Sequence, residues 1–215
     1  MTSAVSTEQA TATTLPQMSV AALILAAGGS ARLGRPKQLE PWGEDSLLEH
    51  VIKRTRDFPV DEVWVVIGAR SEEMLEKVDF MDATVVENPE WEEGIASSIR
   101  SGLDALTQLS RCDAALIVLG DQPDVSGEIV EELLVSHRRS DSRVSVPKYR
   151  YSRGNPVVVD RSLWPRLMSL EGDDGASRLW QAHPEWVNEV WFSEMGPRDV
   201  DNDVDVKEMK PRDVS

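Results

Sequence analysis

The chain has 215 residues, 40% of them hydrophobic and 28% charged, with a formal net charge of −15 at pH 7. That length suits one α/β domain, or at most two small ones, with a full core. The acidic field repels nucleic-acid backbones and anionic lipid surfaces, so neither is an expected partner, and a small anion needs a local cationic pocket or a metal ion.

One cysteine, Cys112, excludes an intrachain disulfide and is expected to pack beside an apolar run. With only three scattered histidines (His50, His137, His183), a zinc cluster of the usual spacing is also excluded. Met1 to Met18 is rich in Thr, Ser and Ala and lacks the basic start and apolar core of a secretory signal. It is expected to be a disordered tail on a cytoplasmic protein. No apolar run reaches membrane-spanning length.

Val20 to Ala27 is a continuous apolar run ended by glycines, the pattern of a buried strand. Ser46 to Phe58 has helical spacing with Ser46 as N-cap. Val63 to Ile67 is a strand, Ser71 to Val78 a helix with Glu in its first turn, Ala83 to Glu87 a short strand and Gly94 to Leu109 a helix. Ala114 to Leu119 is a strongly apolar strand ended by Gly120-Asp121-Gln122-Pro123, and Ser126 to Arg138 is a helix. The rhythm then changes. Arg143 to Lys148 and Asn155 to Asp160 are expected as a hairpin pair, followed by short helices at 162–170 and 176–182 and a late strand at 189–192. The expected architecture is an α/β three-layer sandwich with a mostly parallel, Rossmann-like sheet and an antiparallel insert. One domain spans 19–205, and 206–215 is a C-terminal tail. Ligands of such sheets sit beyond the carboxyl ends of the strands, where the loops at 28–37, 87–94 and 120–124 would converge.

The loop Leu25-Ala26-Ala27-Gly28-Gly29-Ser30-Ala31-Arg32-Leu33-Gly34-Arg35-Pro36-Lys37 carries the strongest signal. Ser30 breaks the G-x-G-x-x-G dinucleotide pattern, and Arg35-Pro36 breaks the Walker pattern that Gly29 and Gly34 begin. The shared physics survives: glycines allow close backbone approach, and successive N–H groups meet phosphate oxygens. Arg32, Arg35 and Lys37 add three cations within six residues.

Leu25-Ala26-Ala27-Gly28-x-Ser30-x-Arg32-Leu33-Gly34-x-x-Lys37-x-Leu39 resembles the signature loop of the molybdenum cofactor nucleotidyltransferases, with Ala-Ala-Gly as in the cytidylyltransferase branch. Asn88-Pro89-x-Trp91-x-x-Gly94-x-x-x-Ser98, Gly120-Asp121-Gln122-Pro123 and Gly154-Asn155-Pro156-Val157 resemble three further stretches of that family, in order. Two departures stand out. Asn155 replaces a frequent His, and the tail Asp199-Val200-Asp201-Asn202-Asp203-Val204-Asp205 lacks the family's Thr-Pro. Gly172-Asp173-Asp174-Gly175-Ala176 is similar to another family stretch.

The resemblance implies a nucleotide-diphospho-sugar transferase-like fold and a reaction in which an acceptor phosphate attacks the α-phosphorus of a nucleoside triphosphate. The implied reaction is cytidylyl transfer from CTP to a molybdopterin-type cofactor, with a molybdenum hydroxylase as the possible recipient. Guanylyl transfer, transfer to a sugar phosphate, or a non-catalytic cofactor chaperone are the alternatives. It also implies nucleotide contacts from Leu25, Ala26, Ala27, Gly28, Gly29, Ser30, Arg32, Lys37, Asn88, Gly94 and Ser98, and an acceptor contact from Asn155. Arg32, Lys37 and Asp121 would carry catalysis, and Arg35, at a variable position, has the weaker claim. Asp121, with Asp201 from the tail, would hold Mg²⁺, a hard ion that prefers oxygen ligands. Of the tryptophans, Trp91 and the C-terminal Trp164, Trp180, Trp186 and Trp191 are expected mainly to pack, with an aromatic wall for the acceptor as the alternative.

Overall fold

The computed structural model describes residues 18–30, 32–172 and 176–211. The tail expected over 1–18 therefore lies outside the described residues except for Met18, which packs on the core. The stretch at 173–175 lies outside them as well.

The first strand, β1 (Val20–Leu25), is buried along its whole length. Alternation explains this: Val20, Ala22 and Ile24 enter one core, while Ala21, Leu23 and Leu25 enter another on the opposite face. A small antiparallel pair that the sequence pattern does not announce follows, β2 (Pro41–Trp42) with β3 (Asp45–Ser46). Ser46 then caps α1 (Leu47–Arg56) in a reciprocal box with Glu49. The chain continues through β4 (Glu62–Ile67), α2 (Ser71–Lys77), β5 (Thr84–Glu87), α3 (Ile95–Leu109), β6 (Ala114–Leu119) and α4 (Gly127–Arg139). These match the expected elements within a residue or two at each end.

The second half builds β7 (Val144–Tyr149), β8 (Ser152–Arg153), β9 (Val157–Asp160), α5 (Trp164–Leu167), α6 (Ser177–Ala182), β10 (Val187–Phe192) and α7 (Asp203–Met209). The sheet runs β10-β7-β9-β6-β1-β4-β5, with β8 paired to β7. Strands β6, β1, β4 and β5 are mutually parallel, and β9 is antiparallel to both neighbours. The expected pairing of the two segments at 143–148 and 155–160 is present as Val144↔Val159 and Ser145↔Val158. The tight hairpin, however, joins β7 to β8.

Helices cover both faces, giving the three-layer sandwich. Leu48, Ile52, Met74, Val130 and Leu133 pack from α1, α2 and α4 on one side. Leu103, Leu106, Trp164, Leu167 and Trp180 pack from α3, α5 and α6 on the other. Cys112 is buried in the second core, and burial pushes its thiol up. A third cluster, Trp42, Leu47 and Val200 with Val206 and Met209, fastens α7 to the β2–β3 corner. That helix crosses the boundary expected at 205. Among the described residues no helix is long and apolar enough to cross a membrane.

Candidate active site

Strands β1 and β6 lie side by side, and the loops at their carboxyl ends form one crevice. The first loop is shaped from within. Gln38, 2% exposed, donates its amide N–H groups to the Ala26 and Gly28 carbonyls, each at 2.8 Å, and accepts from the Ser30 hydroxyl at 3.3 Å. The same hydroxyl accepts the Lys37 backbone N–H at 3.0 Å. Ser30 takes a left-handed φ of 53°, and its carbonyl accepts the N–H groups of Leu33 and Gly34. Gly34 sits at φ 72°, where a side chain would strain the backbone. Trp91 lies over the loop: a Cβ on Gly29 would stand 2.9 Å from its ring. Gln38 carries no weight in the sequence reading, where it fills a variable position of the signature loop.

The charged groups meet across the crevice. The Lys37 ammonium is 2.5 Å from Asp121 Oδ2 and 3.5 Å from Asp201 Oδ1, with only 15% of its side chain exposed. Arg32 reaches the other oxygen of Asp201 at 2.8 Å. Asp201 arrives from far along the chain because Val200, fully buried, plugs into the third cluster, and its N–H donates to the Asp121 carbonyl at 2.9 Å. Its neighbour Asp199 accepts from the Gln122 amide at 2.7 Å. Partial burial, then the charges of Asp121 and Asp201, push the Asp199 carboxyl above its ordinary range. The sequence reading does not single out Asp199 as a site residue; one residue of alternation around a buried Val was the available signal. Arg35 is not free for a phosphate: it forks onto Glu40 and bonds Asp203 at 2.8 Å, tying the loop to the start of α7.

Fitness for a divalent cation can be judged from the oxygens. Asp121 Oδ1 is buried and has no hydrogen-bond partner, so one hard donor is left over beside the carboxylate of Asp201. Among the described residues no three acidic, His or Cys side chains form a ready cage. The two carboxylates are instead bridged by one lysine. The residues fit a hard ion that keeps several waters and shares its remaining positions with phosphate oxygens.

A cavity of about 370 Å³ is bounded by the Ala26–Gly29 backbone, Lys37, Gly94, Ser98 and Asp121. Gly94 and Ser98, two of the expected nucleotide contacts, line it. Asn88 does not: it is 1% exposed, its amide donates to the Ser97 and Ser98 hydroxyls, and its oxygen accepts from the Glu90 N–H. It fastens the start of α3 rather than facing the crevice. A second cavity, about 750 Å³, shares Leu25, Ile95 and Leu119 with the first and extends to Asn155, Trp180 and Arg153. Asn155 is held there by its carbonyl, which accepts the Tyr149 hydroxyl at 2.9 Å. Burial, then Glu194, pushes that phenol up to about 12, so it stays a donor. Trp164 is core, Trp186 stacks on His183 at 3.8 Å, and Trp191 is exposed.

Residues 22–187 match the family described as the MobA-like NTP transferase domain. The chain belongs to that family. It is a nucleotidyltransferase-family enzyme of the nucleotide-diphospho-sugar transferase fold. The chain is 31% identical to nicotine blue oxidoreductase of Paenarthrobacter nicotinovorans, covering 90% of this chain and 95% of that one. It is 26% identical to the molybdenum cofactor cytidylyltransferase of Escherichia coli K12, covering 74% and 78%. Among solved structures, the homologue of Mycobacterium tuberculosis Rv0371c from Mycobacterium sp. strain JC1 superposes with a TM-score of 0.77 at 32% identity, over 88% of this chain and 94% of that one. Rv0371C of M. tuberculosis H37Rv, solved in complex with manganese, shares the fold at a TM-score of 0.76 and 23% identity, over 89% and 98%.

Proposed function

We propose that this NTP transferase moves CMP from CTP to a phosphorylated, flat heterocyclic acceptor, the molybdenum cofactor, with Mg²⁺ as its ion, and releases pyrophosphate. The observation that carries the reading is the Lys37 bridge between Asp121 and Asp201 at the mouth of the glycine loop. Two carboxylates facing one cation, beside backbone suited to phosphates, match the needs of α-phosphate transfer: positioning and charge neutralisation. The choice of CTP and of the acceptor is supported by the E. coli relative's name and by Ala26-Ala27-Gly28.

In this reading the Gly28–Ser30 backbone receives the triphosphate, and Lys37 and Arg32 leave their carboxylates to neutralise the departing pyrophosphate. Asp121 and Asp201, relieved of those cations, would hold the metal, which would draw charge from the phosphate oxygens. Gly94 and Ser98 contact the nucleoside, with Asn88 holding that segment in place. The acceptor's phosphate is already an anion at neutral pH and needs no strong base, in keeping with a crevice whose walls carry no histidine among the described residues. Asn155 contacts the acceptor in the larger cavity.

The test is thermal shift with CTP, GTP, UTP and ATP plus Mg²⁺, followed by pyrophosphate release with molybdenum cofactor. Selective stabilisation by CTP and acceptor-dependent pyrophosphate are expected; selective stabilisation by GTP moves the assignment to guanylyl transfer. The relative named as an oxidoreductase gives a second reading, in which the same crevice handles a dinucleotide and the larger cavity a heteroaromatic substrate. Ser30, where the dinucleotide pattern has glycine, weighs against it. Consumption of a reduced nicotinamide dinucleotide without pyrophosphate release would favour it.

A further inference from the structure

The larger cavity has one charged residue among its described lining residues, Arg153, against walls such as Leu25, Ile99, Val157 and Trp180. How that arginine is held is informative. Arg153 lies directly opposite Lys148 across the β7–β8 hairpin, a juxtaposition of like charges that destabilises a sheet. Glu189 on β10 relieves it, accepting Arg153 Nε at 2.7 Å with one oxygen and Lys148 Nζ at 2.9 Å with the other. One carboxylate serves two cations, so the cluster keeps an excess of one positive charge in a protein of net charge −15. Lys148 is further engaged over the Trp191 ring at 4.3 Å and does not line the cavity. On Arg153 only Nε is bonded among the described residues, which leaves both terminal nitrogens of the fork for an oxyanion.

We infer that Arg153 is the anion anchor of the larger cavity, and that its occupant is a flat, mostly apolar body bearing a negatively charged group. This rests on the acceptor site assigned above only for the identity of the occupant, not for its charge. The experiment uses two fluorescent probes of the same shape on the full chain, 8-anilinonaphthalene-1-sulfonate and the uncharged N-phenyl-1-naphthylamine. Wild type is expected to bind the sulfonate about tenfold or more tightly than the neutral probe, since a charge-assisted fork is worth a factor of that order. Arg153→Gln abolishes that preference without weakening the neutral probe, and Arg153→Lys restores part of it. Retained preference in Arg153→Gln, equal loss of both probes, or a wild type that binds neither would overturn the inference. In parallel, transfer to molybdenum cofactor by Arg153→Gln should show an acceptor KM raised about tenfold with an unchanged CTP KM. A wild type that discriminates the probes yet transfers nothing to molybdenum cofactor removes that acceptor and leaves the role of Arg153 standing.

Discussion

The two walls of the crevice are held by different forces. The wall at 26–38 is set by neutral hydrogen bonds around one buried amide, Gln38. The wall at 199–205 is fastened by a single buried valine, a capped helix start and ion pairs open to solvent. Asn202 accepts the N–H groups of Val204 and Asp205, and Asp205 accepts those of Asp201 and Asn202. The glycine loop is thus shaped before anything binds, whereas Asp201 is carried by a segment whose exposed ion pairs salt is expected to weaken.

The largest expected break is on the cations that span both walls. Lys37→Met and Arg32→Ala should each lower transfer by about 10²-fold or more, if each supplies a charge to the transition state. Steady-state pyrophosphate release measures this. Lys37→Met should also bind Mn²⁺ more tightly than wild type when no nucleotide is present, because the competing ammonium is gone; an unchanged affinity by titration calorimetry would remove the idea that lysine and metal share the carboxylates.

Gln38→Leu should cost about 1–3 kcal/mol in denaturant melts, the penalty for leaving buried carbonyls unsatisfied, and should weaken CTP binding. Val200→Ala, on the looser wall, should cost about 1–2 kcal/mol through a lost buried contact while loosening Mn²⁺ affinity and sparing metal-free CTP binding. Equal effects of the two variants on nucleotide and metal would erase the distinction between the walls.

The smallest effect concerns pH. Asp199 titrates above its ordinary 3.8 in the folded protein, so its favourable contribution is complete below the unfolded value and is lost as pH rises through the folded one. Asp199→Asn should therefore raise Tm slightly at pH 7 and leave it unchanged near pH 3. The group keeps one side in water, which limits the gain.

Most of the glycine-loop wall was legible in the sequence because its signals are local. The glycines and the Lys at fixed spacing sit in one stretch, 25–37, and the apolar strand runs straight into Asp121, although the contacts Lys37 makes with Asp121 and Asp201 join positions 84 and 164 residues apart. The strand order was not legible, since the insertion of β9 between β7 and β6 depends on packing across the whole sheet. Nor was the inward turn of Gln38, whose composition is that of any surface loop. The acidic tail concealed α7 because charge at that density resembles solvated surface. Its cap was nevertheless written in the sequence: Asn202 with Asp205 three residues on. Asn88 was expected as a nucleotide contact; its buried amide donates to the Ser97 and Ser98 hydroxyls at the start of α3.

The most direct test of the central claim, that the two walls form one cation and triphosphate seat, is pyrophosphate release from CTP with Mg²⁺ and molybdenum cofactor by wild type and by Asp121→Asn and Asp201→Asn. Release by wild type only when acceptor and metal are both present, lowered about 10²-fold or more in Asp121→Asn and substantially in Asp201→Asn, is the predicted result. Wild-type rates in both variants would contradict it.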